Sequence, residues 1–183
     1  ADSKTRVSSM NGNDFFSNEK SATLPADTTA KILLETTDGE IILKDDIHYT
    51  AGTVVDATFM SAAALKEFLA AEIESAKSDG TLFSLHLKST MMKVSDPIIF
   101  GHGVQTFFKD VFAKHTSTFS DLGINPNDGL ANLMTQIESL ASDKKEEIKR
   151  DQNNPMRKMF NENVETKTGL SVIISTLAFL LFL

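Results

Sequence analysis

Between Leu82 and Lys88 the chain alternates: Phe83, Leu85 and Leu87 are apolar, while Ser84, His86 and Lys88 are polar. A period of two predicts a strand with one apolar face, closed by Lys88. Asp96-Pro97 then reads as a helix start, because a carboxylate can accept from free amides and proline suits the first helical position. Downstream, Phe100, Val104, Phe107, Phe108 and Val111 predict a helix from Pro97 to about His115, with Gly101 and Gly103 offering close approach to a neighbouring group. Upstream, Ser61 is placed to cap a helix carrying Leu65, Phe68, Leu69, Ile73 and Ala76 on one face and Lys66, Glu67 and Glu74 on the other. Asp79-Gly80 should end it.

The flanks are read in the same way. Lys31–Thr36 and Glu40–Lys44 form a hairpin pattern around Asp38-Gly39, and Thr53-Val54-Val55 suggests another strand running toward Phe59. The opening Ala1–Ala26 is polar apart from Phe15 and Phe16, and is expected to be loop with short elements that docks onto something else. Asn125–Gly129 is a turn cluster, Leu130, Leu133, Met134, Ile137 and Leu140 predict an amphipathic helix, and Asp143–Arg150 a charged one. The order of elements is α/β: a β-hairpin and helices around a strand-turn-helix site.

After Arg150 the pattern stops. Residues 151–169 read as a polar linker without apolar periodicity, and Leu170–Leu183 is apolar except for serine and threonine. As a helix this tail would reach about 21 Å against a hydrocarbon core of about 30 Å, too short to span it. It reads as a truncation or reading-frame product foreign to the fold of residues 1–150, with a lipid-anchor signal and a buried helix as the alternatives.

The net charge of −7 leaves no excess of basic residues for phosphates, which argues against nucleic acid as a partner. The absence of cysteine excludes disulfides, thiolate metal sites and thiol chemistry. Small anions remain possible at one place. Lys88 and Lys93 flank a turn, Ser89–Ser95, that joins a strand's carboxyl end to a helix's amino end, where unpaired N–H groups favour negative charge. Taken alone, Lys88 and Lys93 are as readily surface charges. His86 and His102 fit no ligand spacing, His48 beside Tyr49 has no evident partner, Asp96 is better a helix cap than a metal ligand, and Met91 and Met92 should pack under the turn.

The strings HLKSTMMKVSDPIIFGH, ADSKTRVSSMNGNDFFSNEKS, GTVVDATFMSAAALKEFLAAEIESAKSDGTLFS and NPNDGLANL resemble segments of the monomeric NADP-dependent isocitrate dehydrogenases, in order over about Ala1–Arg150. The resemblance implies a fragment of that family's larger α/β domain. It implies oxidative decarboxylation of isocitrate to 2-oxoglutarate with NADP and Mg2+ or Mn2+, by a cytoplasmic monomer, with an organelle matrix as the alternative location. The lysine of the family's HLK-S/A-TMM motif falls on Lys88, which would be both the catalytic and the isocitrate-binding residue. A lysine can exchange protons when burial or nearby positive charge makes its neutral form accessible, and its charged form steadies an enolate. None of the family's metal, tyrosine or NADP motifs is found here, so cofactor and metal ligands are expected elsewhere and the isolated chain is expected to be inactive. A non-enzymatic, tail-anchored binding module built on the same domain is the other reading.

Overall fold

The computed structural model describes residues 2–88 and 90–150. The linker and tail expected at 151–169 and 170–183, and Ser89 of the turn, lie outside the described residues. The chain divides into two units: Met10–Ser61, and residues 1–9 together with the chain from Ala62 onward.

The first unit is built of short helix and hairpin. Asp14 caps α1 (Phe15–Asn18) by accepting from the Ser17 amide at 2.7 Å, a bond that lowers the pKa of its carboxyl. Strand β1 (Lys20–Thr23) pairs antiparallel with β4 (Val54–Ala57), so the strand expected at Thr53–Val55 forms, with a partner drawn from the polar opening segment. Glu19 and Asp56 meet at that sheet, and their shared hydrogen bond and mutual repulsion raise the pKa of Glu19. The expected hairpin forms as β2 (Thr28–Thr36) and β3 (Gly39–Tyr49). It is longer than the apolar pattern marked. Thr36 pairs with Gly39, so Thr37 and Asp38 make the turn, and Gly39 enters β3 at φ 129°, open to glycine and strained for other residues. Register shifts between Ala30 and Leu33 bulge β3, and Asp46 adopts φ 55° within one of them.

The second unit is helical. Helix α2 (Ala62–Asp79) buries Leu65, Leu69 and Ala76 and exposes Lys66, Glu67 and Glu74, as its periodicity predicts. It ends in a Schellman motif: Gly80 N–H reaches Lys77 C=O at 3.3 Å and Thr81 N–H reaches Ala76 C=O at 2.9 Å, with Gly80 at φ 66°. The N-terminal arm docks along this helix. Arg6 meets Glu72 at 2.7 Å and Ser75 at 2.8 Å, Ser8 donates to Glu72 at 2.6 Å, and Lys4 donates to the Asp79 carbonyl at 3.1 Å, a cation at the helix's negative end.

Beyond the turn, the single helix expected from Pro97 to about His115 is two, α3 (Ser95–Phe107) and α4 (Lys109–Lys114), which ends at His115 as expected and is followed by α5 (Thr116–Asp121). The breaks fall at Phe108 and His115, where ψ is 26° and 24°. Both are buried. The bends let Val104, Phe108, Val111 and Phe119 enter one core with Leu133, Ile137 and Ile148, which a straight helix would present along a single line. A 3-10 turn, Pro126–Asp128, leads to α6 (Leu130–Glu138), and α7 (Ser142–Arg150) contributes Ile148. Phe100 and Phe107 pack against the same cluster.

Candidate functional site around Lys88

Residues Leu82–Lys88 keep the alternation read from the sequence: Phe83, Leu85 and Leu87 are half-buried, Leu82, Ser84, His86 and Lys88 exposed. They do not form the expected strand. A strand exists through its ladder, and no described segment pairs with this one. It is held instead by packing on α3. A β-carbon at Gly103 would lie 2.8 Å from Leu85 Cδ2, so the absence of a side chain there is what lets Leu85 seat against the helix. Gly101 serves the Asn125–Gly129 turn in the same way, because a β-carbon there would fall 1.9 Å from Asn127 Oδ1.

Lys88 itself is fixed through its backbone. Its N–H donates to Asp96 Oδ2 at 2.7 Å, and its carbonyl accepts from Met91 N–H at 2.9 Å and Met92 N–H at 3.1 Å. Asp96 is therefore not the cap of its helix. α3 begins one residue earlier, at Ser95, without a side-chain cap, and the buried Asp96 carboxylate reaches back across the turn to Lys88. The reason is geometric: once the turn closes on the Lys88 carbonyl, the Lys88 amide is brought to the first turn of α3, where a carboxylate can take it. One charged hydrogen bond thus joins the two ends of the turn.

The Lys88 side chain is exposed and forms no hydrogen bond or ion pair with a described residue, and Lys93 is likewise exposed. Asp96 already places negative charge in the first turn of α3, so attraction for an anion rests on the two ammonium groups more than on the helix end. Met91 and Met92 are 69% and 51% exposed rather than packed beneath the turn. The backbone bonds to the Lys88 carbonyl close the turn without apolar support.

The histidines go separate ways. His86 lies 2.5 Å from Ser84 Oγ on the exposed side. His102 on α3 is half-buried, and its pKa is lowered by burial first and then by the charge of Lys66, against a hydrogen bond with Gln105 that raises it. His48 has partners after all, Asp46 at 3.3 Å and Thr29 Oγ1 at 3.1 Å, supplied by the hairpin register. Among the described residues no three histidine or carboxylate side chains converge on a point that could hold a metal ion. Gly101 and Gly103 lie inside α3 and not at a strand-to-helix turn, so they do not form a dinucleotide cradle. No helix among the described residues is long and apolar enough to cross a membrane.

Asp96 is the residue of the turn whose hydrogen bond sequence reasoning misassigned. Asp-Pro signals a helix start correctly, yet which N–H the carboxylate takes depends on how the preceding turn closes.

The family model for monomeric isocitrate dehydrogenase matches residues 1–173, running past Arg150. The isocitrate dehydrogenase [NADP] of Corynebacterium glutamicum is 50% identical over 150 residues, 81% of this chain and 20% of that protein. Isocitrate dehydrogenase [NADP] 2 of Mycobacterium tuberculosis is 45% identical over 147 residues, 80% of this chain and 20% of its own length. The Azotobacter vinelandii isocitrate dehydrogenase [NADP] is 44% identical over 152 residues, 82% of this chain and again 20% of the relative. The chain thus spans about a fifth of the length of these relatives, and by the match over nearly its whole length it belongs to the monomeric isocitrate dehydrogenase family.

Proposed function

We propose that this chain is the lysine-bearing segment of an NADP-dependent isocitrate dehydrogenase, which converts isocitrate to 2-oxoglutarate and carbon dioxide in the cytoplasm. The observation that carries this reading is the state of Lys88: its N–H and carbonyl are both bonded while its ammonium is exposed and unpaired among the described residues. A fixed backbone with a free cationic head suits a residue that must meet a small anion at a set position. In this role the Lys88 ammonium attracts a substrate carboxylate and moves a proton at the carbon that passes through an enolate, whose charge it steadies.

NADP would accept the hydride and a divalent ion, Mg2+ or Mn2+, would polarise the substrate oxygen. Among the described residues no cluster of side chains would hold the metal ion, and Gly101 and Gly103, inside α3, form no dinucleotide cradle. The relatives' names support the use of NADP, and both groups are assigned to the remaining four-fifths of a family polypeptide.

The test is activity in two contexts. Purified Ala1–Leu183 with isocitrate, NADP and Mn2+ is expected to form no NADPH. The aligned part of this chain, grafted in place of the matching stretch of the Corynebacterium glutamicum enzyme, is expected to support NADPH formation. Activity of the isolated chain, or a folded graft that binds isocitrate and is inert, would overturn the assignment.

A further inference from the structure

In the helical unit the exposed large apolar side chains are concentrated in one stretch. Apart from Val7, those among the described residues are Leu82 (51%), Met91 (69%), Met92 (51%), Val94 (76%) and Ile98 (42%). The same stretch has an unusual backbone. Residues 82–87 alternate in burial, and the contact between Ser84 Oγ and His86 shows side chains two apart on the same side, yet these residues make no backbone hydrogen bond to a described residue. A half-buried segment whose N–H and C=O groups find no partner among the described residues is set apart, since nearly all such groups in folded proteins are paired. Both ends are nevertheless fixed, by Thr81 N–H on Ala76 and by Lys88 N–H on Asp96, and Leu85 is seated over Gly103.

We propose that Leu82–Leu87 is a β-strand held ready for a ladder, and that the surface from Leu82 to Ile98 is covered by another part of the same family polypeptide, which adds a strand along residues 82–87. The occupant follows from length and family. This chain amounts to 20% of its relatives, the stretch lies inside the matched residues 1–173, and the matching family is described as monomeric, which speaks against a second copy. Pairing would convert the free groups into ladder bonds, bury the apolar row on the turn, and fix the strand end from which Lys88 projects. The inference rests on the family reading above but does not depend on catalysis.

Hydrogen exchange distinguishes the two. In the isolated chain, the amides of residues 83–87 are expected to exchange near the rate of an unstructured peptide. In the Corynebacterium graft, at least alternate amides of that run should exchange about a hundredfold more slowly or better, as ladder amides do. The aligned peptide of the intact Corynebacterium enzyme provides the same measurement should the graft fail to fold. Unprotected amides in the folded graft or in the intact enzyme would overturn the proposal, even if the graft were active. Protection of the isolated chain that appears only with dimerisation would assign the surface to a second copy and overturn the occupant named here. An inert graft with protected amides would sink the catalytic reading alone.

Discussion

Substituting Asp96 tests the clamp on Lys88 at the bond that makes it. The carboxylate accepts from Lys88 N–H at 2.7 Å and is buried, with 8% of its surface exposed. A hydrogen bond to a charged acceptor contributes about 1.5–3 kcal/mol. Asp96→Ala removes that acceptor and leaves the Lys88 amide held only through its neighbours. If the amide exchanges by local opening, each 1.4 kcal/mol is a tenfold change, so exchange at Lys88 should quicken about 10- to 150-fold. Asp96→Asn keeps a neutral acceptor of the same shape and should show a smaller effect, about 3- to 15-fold, since charge accounts for about half the strength. The assay is residue-resolved exchange on the full chain at one pH and temperature, with core amides such as Ile137 as the internal reference. If Lys88 exchanges equally fast in the parent and in Asp96→Ala while Ile137 is unchanged, the clamp does not exist and Asp96 serves only its own helix.

Two further perturbations probe the surroundings. Gly103→Ala gains about 1 kcal/mol of helix propensity but forces a β-carbon to 2.8 Å from Leu85 Cδ2, an overlap that costs about 1–3 kcal/mol, so the net change in urea unfolding should lie between none and about 2 kcal/mol of loss. Adding Leu85→Ala should remove the overlap, and a double-mutant cycle showing no coupling would contradict that packing. His102, whose pKa is depressed by burial and by Lys66, favours its neutral form when folded, so it contributes stability above its ordinary value of 6.5 that is lost as pH falls through the lower folded value. His102→Gln should flatten the dependence of the melting temperature on pH between 6.5 and that lower value, and an unchanged slope there would show that burial of this ring does not govern it.

Much of the helical unit is legible in the sequence because its signals are local. The stripe of α2 and its Asp79-Gly80 stop depend on residues within a few turns, and the structure returns both, down to the Schellman bonds of Gly80 and Thr81. The apolar row from Phe100 to Val111 is also found in the core. What the periodicity could not carry is the break at Phe108, a residue buried in one core with the distant Leu133, Ile137 and Ile148. The hairpin around Asp38-Gly39 is visible, but the bulges of β3 are not, because no residue type demands them. At the site, the alternation of Phe83, Leu85 and Leu87 correctly gives their burial and wrongly gives a strand, for a ladder requires a second segment that local pattern does not reveal. Asp96 and the exposed Met91 and Met92 share that cause: their surroundings are decided by how the turn closes on the Lys88 carbonyl.

The proposed role of Lys88 in moving a proton and meeting substrate charge is tested by steady-state kinetics of Lys88→Met in the Corynebacterium graft, with Lys88→Arg and the exposed Lys109→Met beside it. Loss of a general acid or base lowers turnover by about 10²- to 10⁴-fold. A fall of that size in kcat is expected for Lys88→Met, a similar fall in kcat with a smaller rise in KM for Lys88→Arg, which keeps the charge, and no comparable loss for Lys109→Met. A Lys88→Met graft whose kcat stays within about tenfold of its parent would contradict the claim.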